Sequence, residues 1–134
     1  MKNTVAANNQ ALRNAIKTKM SSEGTTWSDL EDKFGVPGLH SLILHGESSL
    51  DAHLSARIRA WAGIPPLPVI EGITRGISHL FPCVGEFMGS TQTVRSSLCG
   101  VPNRFILRDP SKPSHIGTPT CDECESIRDS QYGR

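Results

Sequence analysis

Hydrophobic and polar positions divide the chain into two parts with different periods. In the first part, apolar side chains recur every three or four positions, which is the spacing of one helix face. In the second part, apolar and polar positions roughly alternate in short runs between Gly and Pro, which predicts short strands. The segment "GIPPLPVIEG" between them is too rich in proline to continue a helix. The pattern predicts an α+β chain with a helical domain at 1–64, a linker at 65–72 and a β-rich module at 73–134.

Four helices are predicted in the first part. Their apolar stripes are Leu12, Ala15, Ile16 and Met20; Trp27, Leu30 and Phe34; Leu39, Leu42 and Ile43; and Leu50, Leu54, Ile58 and Trp61. The glycines that should end them are Gly24, Gly35, Gly46 and Gly63. Thr26 with Asp29 three positions later predicts a capping box, and Ser48 or Ser49 is expected to cap the fourth helix.

Three stretches of the second part, "EGITRGISHLF", "TQTVRSSLC" and "RFILRD", carry the Ile, Val, Thr and Phe residues that favour strands. "RDPSKPSHIGTPT" reads as a polar loop. The last ten residues are polar, and we expect them to fray. No helical period is evident in this part of the chain.

Composition limits what such a chain can do. Hydrophobic residues are 37% and aromatic residues 5% of the 134, so a small core would benefit from a metal or a disulfide. Fourteen basic and thirteen acidic residues leave a net charge of +1, which argues against a strongly basic nucleic-acid coat. The start of the chain lacks the pattern of a secretory signal, and no apolar run could span a membrane. We expect a cytoplasmic protein without a membrane partner, whose cysteines are reduced and available to a metal.

Cysteine spacing predicts a metal site in the second part. Cys121 and Cys124 have the C-x-x-C spacing at which two thiolates bind one ion from a tight turn, and Cys99-Gly100 offers a similar turn. A structural zinc ion takes four Cys or His ligands in a tetrahedron. The candidates for the fourth ligand are His79, Cys83 and His115.

The same cysteines are open to two other interpretations. They could be separate core thiols, although the C-x-x-C pair and the Cys-Gly turn favour a shared site. A thioredoxin-like redox pair would open a helix after a strand, whereas here the pair follows a Pro- and Gly-rich loop.

The segments "SHLF", "SSLCG" and "TPTCDEC" together resemble a short zinc-binding module of actinobacterial and actinophage proteins. The resemblance covers about the last 55 residues. It implies that His79, Cys99, Cys121 and Cys124 are the ligands of a structural zinc ion. Cys83, four positions after His79, departs from the pattern of that module, and a four-cysteine site would use it in place of His79.

A catalytic zinc was also considered. His45-Gly46-Glu47 followed by a later C-x-x-C is similar to the zinc-deaminase signature, but Thr120 stands where that signature has Pro and the separation is far too long. A closed four-ligand site leaves no position for a reacting water. We therefore predict that the protein is not an enzyme, and a zinc-dependent enzyme is the third alternative, after a DNA-binding regulator and a protein adaptor.

Residues 10–65, which include "TTWSDLEDKFGVPGLHSLILHGESSLDAHLSARIRAWAGIP", are similar to helix-turn-helix domains of the phage-repressor type. The resemblance implies a DNA-binding transcriptional regulator, possible dimerisation and a third helix that enters the major groove. The candidate DNA-contacting residues are His40, Ser41 and His45 on that helix, with Arg13, Lys17 and Lys19 on the first.

The charge pattern keeps a second function open. Residues 26–65 carry three bases and five acids, and the third helix lacks Arg, Lys, Asn and Gln for bidentate base contacts. An adaptor that presents this apolar helix to a host or phage protein is therefore the alternative. Because Leu39, Leu42 and Ile43 are expected to belong to the core, Leu44 would be the apolar residue left exposed.

Overall fold

In the computed structural model, which describes residues 4–132, helices and strands form two groups along the chain. The first group is α1 (Val5–Glu23), α2 (Trp27–Phe34), α3 (Leu39–His45), a 3-10 turn (Glu47–Ser49) and α4 (Ala52–Ala62). The second is β1 (Val69–Thr74), β2 (Ile77–Phe87), β3 (Ser90–Thr93), β4 (Ile106–Leu107), a 3-10 turn (Pro113–His115) and α5 (Asp122–Tyr132). The α+β class predicted from the sequence is confirmed.

Capping residues set the helix ends much as the sequence predicts. Gly24, Gly35 and Gly63 adopt left-handed conformations at the ends of α1, α2 and α4. Both hydrogen bonds of the Thr26–Asp29 capping box are present. The predicted cap of the fourth helix was wrong: residues 48 and 49 lie in the 3-10 turn, and Asp51 caps α4 by accepting the Leu54 N–H at 2.7 Å. Asp51 follows the 3-10 turn and is therefore the residue placed at the helix start.

One apolar core unites α1 to α4. Its buried members are Leu12, Ile16, Leu30, Phe34, Leu39, Ile43, Leu50, Leu54 and Ile58, all from the predicted stripes. Leu42 is half-buried and Leu44 is 60% exposed. The third helix therefore presents one face to the core and the opposite face to solvent.

A buried ion pair joins the helices beneath this core. Glu47 is 0% exposed, and Arg59 donates to both of its carboxylate oxygens at 2.6 and 2.7 Å. The same carboxylate accepts hydrogen bonds from Ser55 and Asn8, while Arg59 also donates to the Pro65 carbonyl at 3.0 Å. The network thus ties α1, the 3-10 turn, α4 and the start of the proline-rich segment together.

The four strands form an antiparallel sheet in the order β3-β2-β1-β4. β2 is long: its first half pairs with β1, and its second half, beyond an irregularity between Cys83 and Gly85, pairs with β3. This change of partner curls the sheet. β1 starts at Val69, so the second half of the segment predicted as a linker at 65–72 is a strand.

A second apolar core lies between the sheet and its neighbours. Its buried members are Ala52, Leu67, Leu80, Val84, Val94, Leu98 and Cys124. Ala52 comes from α4, and Thr4 at the start of α1 forms a bridge with Glu86 of β2. The two halves of the chain are therefore packed against each other.

The expectation that the last ten residues fray was wrong within the described residues, because the chain from Asp122 to Tyr132 forms α5. Cys124 is buried in the second core, and Ile127 packs against that core. These two positions, three apart, anchor a helix that is otherwise polar. Within residues 4–132, no helix is both long enough and apolar enough to cross a membrane.

Replacing Arg59 by Met should leave the buried Glu47 carboxylate without its cation. We expect the free energy of unfolding to fall by about 3–5 kcal/mol, because an uncompensated buried charge is strongly destabilising. Chemical denaturation measures this change. The matched control is Arg57→Met on the same helix, where an exposed guanidinium above the Phe34 ring should cost under about 1 kcal/mol. Equal losses in the two variants would contradict the role of the ion pair.

Candidate metal centre

The middle of the long strand β2 organises this site. The Ser78 carbonyl accepts the Cys121 N–H at 2.8 Å, and the Leu80 carbonyl accepts the Leu98 N–H at 2.9 Å. Backbone hydrogen bonds on either side of His79 therefore hold two separate loops against the strand. One loop carries Cys99 and the other carries Cys121.

A tight turn presents Cys99. The Gly100 N–H donates to the Ser97 carbonyl at 3.0 Å, and the Ser97 N–H donates to the Val101 carbonyl at 2.8 Å. Gly100 has φ +97°, a value that side-chain-bearing residues rarely adopt. The buried Ser97 hydroxyl accepts the Val101 N–H and lies 3.2 Å from the Cys99 sulfur. It fixes both the turn and the thiol.

The C-x-x-C pair opens α5. Cys121 immediately precedes the helix, whose first turn contains Cys124, and the Glu125 N–H donates to the Cys121 carbonyl at 3.1 Å. Two thiols three positions apart at a helix start can point to one location. The pair opens a helix, as a thioredoxin-like redox pair would, but as predicted it follows a loop and not one of the four strands.

Four potential ligand atoms converge at this point. The Nδ1 atom of His79 and the sulfurs of Cys99, Cys121 and Cys124 all lie within 4.8 Å of one another. We call these residues the four-ligand cluster. The Cys99–Cys121 sulfur separation is 3.8 Å, and His79 Nδ1 lies 3.4 Å from the Cys99 sulfur and 3.8 Å from the Cys124 sulfur.

These separations suit a tetrahedral ion. Metal–sulfur bonds of about 2.3 Å at tetrahedral angles place two sulfurs about 3.8 Å apart, and a sulfur and a nitrogen about 3.6 Å apart. The cluster could therefore hold a metal ion without large movements of its ligands. Three soft sulfurs and one imidazole also match the donors that such ions prefer.

The thiols differ in how readily they lose a proton. Burial acts to raise the pKa of Cys99, but hydrogen bonds involving Ser97, Cys124 and Cys121 hold it below the ordinary value. Burial raises the pKa of Cys124, which is 0% exposed, to about 11. A cation at the centre would favour the thiolate form of both groups.

The other candidates for the fourth ligand lie elsewhere. Cys83 belongs to the second half of β2, opposite Thr93, and is not among the residues of the four-ligand cluster. His115 is buried in the 113–115 turn, where its Nδ1 lies 2.9 Å from the Asp109 nitrogen, whose N–H donates to it. Of the three candidates, the structure brings His79 to the cysteines.

Residues of the first half predicted to contact DNA occupy varied environments. Ser41, His45 and Lys17 are exposed. The His40 ring stacks on Trp27 at 4.2 Å with an interplanar angle of 9°.

The remaining two candidates are engaged on α1 itself. Arg13 donates to Gln10 at 3.2 Å, and Lys19 forms an ion pair with Glu23 at 3.2 Å. Three of the six candidates therefore remain exposed to solvent: Lys17, Ser41 and His45.

Sequence reasoning missed two kinds of residue. The charge count over residues 26–65 includes Glu47 and Arg59, although they form an ion pair in the interior and are not available to a partner. Ser97 was not distinguished from Ser96, since nothing in "SSLCG" marks which hydroxyl faces the thiol. The sequence signal for the buried pair was that Glu47 and Arg59 both lie within segments predicted to pack as an apolar helical bundle, where a charged residue needs a partner.

Comparisons with protein-family models, with curated proteins and with solved structures found no match to this chain. Its function is therefore argued from its own residues and their geometry.

His79→Ala should lower the bound metal per chain, whereas Cys83→Ser should leave it unchanged, because among the described residues His79, and not Cys83, lies with the three cysteines. Elemental analysis of both purified variants beside the unaltered protein measures the difference. A loss of metal in Cys83→Ser as large as that in His79→Ala would contradict the ligand set.

Proposed function

We propose that this protein is a small DNA-binding regulator of the helix-turn-helix type, with a structural zinc ion in its four-ligand cluster. The observation that carries the DNA-binding part is the pairing of α2 with α3. Gly35 and Gly38, both at positive φ, make the connection tight enough for a helix-turn-helix. Leu39 and Ile43 fix one face of α3 in the core.

The opposite face of α3 supplies the proposed contact surface. Ser41, Leu44 and His45 are exposed there. A serine hydroxyl and an imidazole can hydrogen-bond base edges, and an apolar side chain can contact a thymine methyl group. Lys17 on α1 is available for a phosphate.

The charges of this half are less unfavourable than a simple count implies. The Glu47–Arg59 pair removes one acid and one base and leaves the local excess of two acids unchanged, but Asp29 and Asp51 cap helix N-termini, where the helix dipole offsets their charge. In the second half, Arg108 is held by Glu71 at 3.1 Å. Arg95 and Arg104 are exposed and could reach the phosphate backbone.

Zinc is the metal proposed because the donor set consists of three thiols and one imidazole at tetrahedral separations. When bound, the ion would cross-link β2, the Ser97–Gly100 turn and α5. A closed set of four protein ligands supports a structural role, since no position is left for a substrate.

A second candidate function is an adaptor for a host or phage protein. The 60% exposure of Leu44 in the middle of the free face of α3 favours it. His40 is also turned onto Trp27, which leaves few polar groups for reading bases.

The purified chain should contain about one zinc ion, which elemental analysis measures directly. Removing the ion with a chelator should unfold the second half, because metal-binding energy is also folding energy. Near-ultraviolet circular dichroism and denaturation follow that loss, and Cys121→Ser should reproduce it. A protein with much less than one zinc per chain and an unchanged denaturation curve after chelation would contradict the structural role.

Replacing His45 by Glu should weaken DNA binding by about tenfold or more, since a carboxylate on α3 would face the phosphates. Duplexes selected from random sequence serve as the probe, and affinity is measured at several salt concentrations. His53→Glu, at an exposed histidine of α4, is the matched control.

Two outcomes would separate the candidate functions. A strong fall of affinity with added salt supports DNA binding. Failure to select any duplex, together with a pull-down partner that Leu44→Asp no longer retains, would contradict DNA binding and support the adaptor.

A further inference from the structure

A cavity of about 670 Å³ lies beside the four-ligand cluster, between the β1–β2 turn and the segment 101–104. The volume is within the range of small-molecule sites. The residues that line it are Thr74, Arg75, Ile77, His79, Val101, Pro102 and Arg104. The Thr74 hydroxyl donates to the Arg104 carbonyl at 2.9 Å, which fixes the two walls relative to each other.

Two arginines and, among the residues that the structure describes, no acid line this cavity. Arg75 and Arg104 are both exposed, and within residues 4–132 neither guanidinium has a hydrogen-bond or ion-pair partner. Two free guanidinium groups around one concave surface are suited to a carboxylate or phosphate.

The third donor is the metal-facing histidine. His79 lines the cavity while its Nδ1 faces the thiols, and in the part of the chain that the structure describes its Nε2 has no hydrogen-bond partner. A histidine that binds a metal through one nitrogen almost always donates its other N–H to an acceptor. An anion in the cavity could serve as that acceptor.

The remaining walls are apolar. Ile77, which is 41% exposed, lines the cavity together with Val101 and Pro102. A simple inorganic anion would leave these apolar surfaces in contact with water. A ligand with an apolar body would cover them and displace that water.

We propose that this cavity binds a small anionic ligand with an apolar body, whose anion lies between Arg75, Arg104 and the Nε2–H of His79. The site goes beyond DNA binding and structural zinc. It would couple occupancy by the ligand to the orientation of one metal ligand.

Calorimetry with the metal-loaded full chain tests the proposal, with octanoate and octyl phosphate as carboxylate and phosphate probes. At least one of them should bind with a stoichiometry of one per chain, and their relative affinities identify the preferred anion. Octanol has the apolar body without the anion, and inorganic phosphate has the anion without the apolar body. Each should bind at least about tenfold more weakly. Equal binding of octanol, or no binding of either amphiphile, would overturn the proposal.

Variants locate the site. The double substitution Arg75→Gln with Arg104→Gln should weaken the preferred probe by about tenfold or more, because it removes two charge-assisted contacts. Arg95→Gln, at another exposed arginine outside the cavity, should bind as the unaltered protein does. Both arginines of the double variant are exposed, so it should keep its metal and its denaturation midpoint.

A second readout concerns His79 itself. Its ring nitrogen resonances should shift when the probe binds, with metal content unchanged. Unaltered affinity in the double variant, or unshifted His79 resonances at saturation, would overturn the assignment. Since no step of this experiment uses DNA, its outcome is independent of the DNA-binding proposal.

Discussion

The helical half depends on one buried carboxylate. Glu47 lies in the interior, where a lone charge would be too costly to keep, so it has to be surrounded by donors. Arg59, Ser55 and Asn8 supply them from two helices, and Arg59 also reaches the Pro65 carbonyl. Apolar stripes tolerate small slips between helices, but such a network does not. It therefore fixes the register of α1 against α4 and the point at which the chain leaves the bundle.

The second half is organised differently, around the long strand β2. β2 serves both parts of the sheet, and the residues on either side of His79 hold the two cysteine-bearing loops. Directional backbone hydrogen bonds thus assemble the four-ligand cluster at the edge of the second apolar core. The cavity lined by Arg75 and Arg104 adjoins this cluster because the same strand leads directly into the β1–β2 turn.

Features determined by residues close together in the sequence were predictable. The Thr26–Asp29 capping box and the leucine and isoleucine stripes depend on neighbours three or four positions away, and they were predicted correctly. Features decided by distant contacts were not. α5 shows little apolar period because one of its two anchoring positions is a cysteine, and Glu47 looks like any surface acid until Arg59 is seen beside it. The convergence of His79 with the cysteines followed from spacing and resemblance, whereas the role of Ser97 required coordinates.

The spacing of the four ligands has a consequence during synthesis. His79 and Cys124 are 45 positions apart, so the site cannot close until the last two cysteines have left the ribosome. The core of α1 to α4 lies wholly within residues 12–58 and can form while the sheet is still being made. A stalled or truncated chain would thus release a finished bundle joined to an incomplete sheet with exposed thiols, a form that proteases and oxidants attack first.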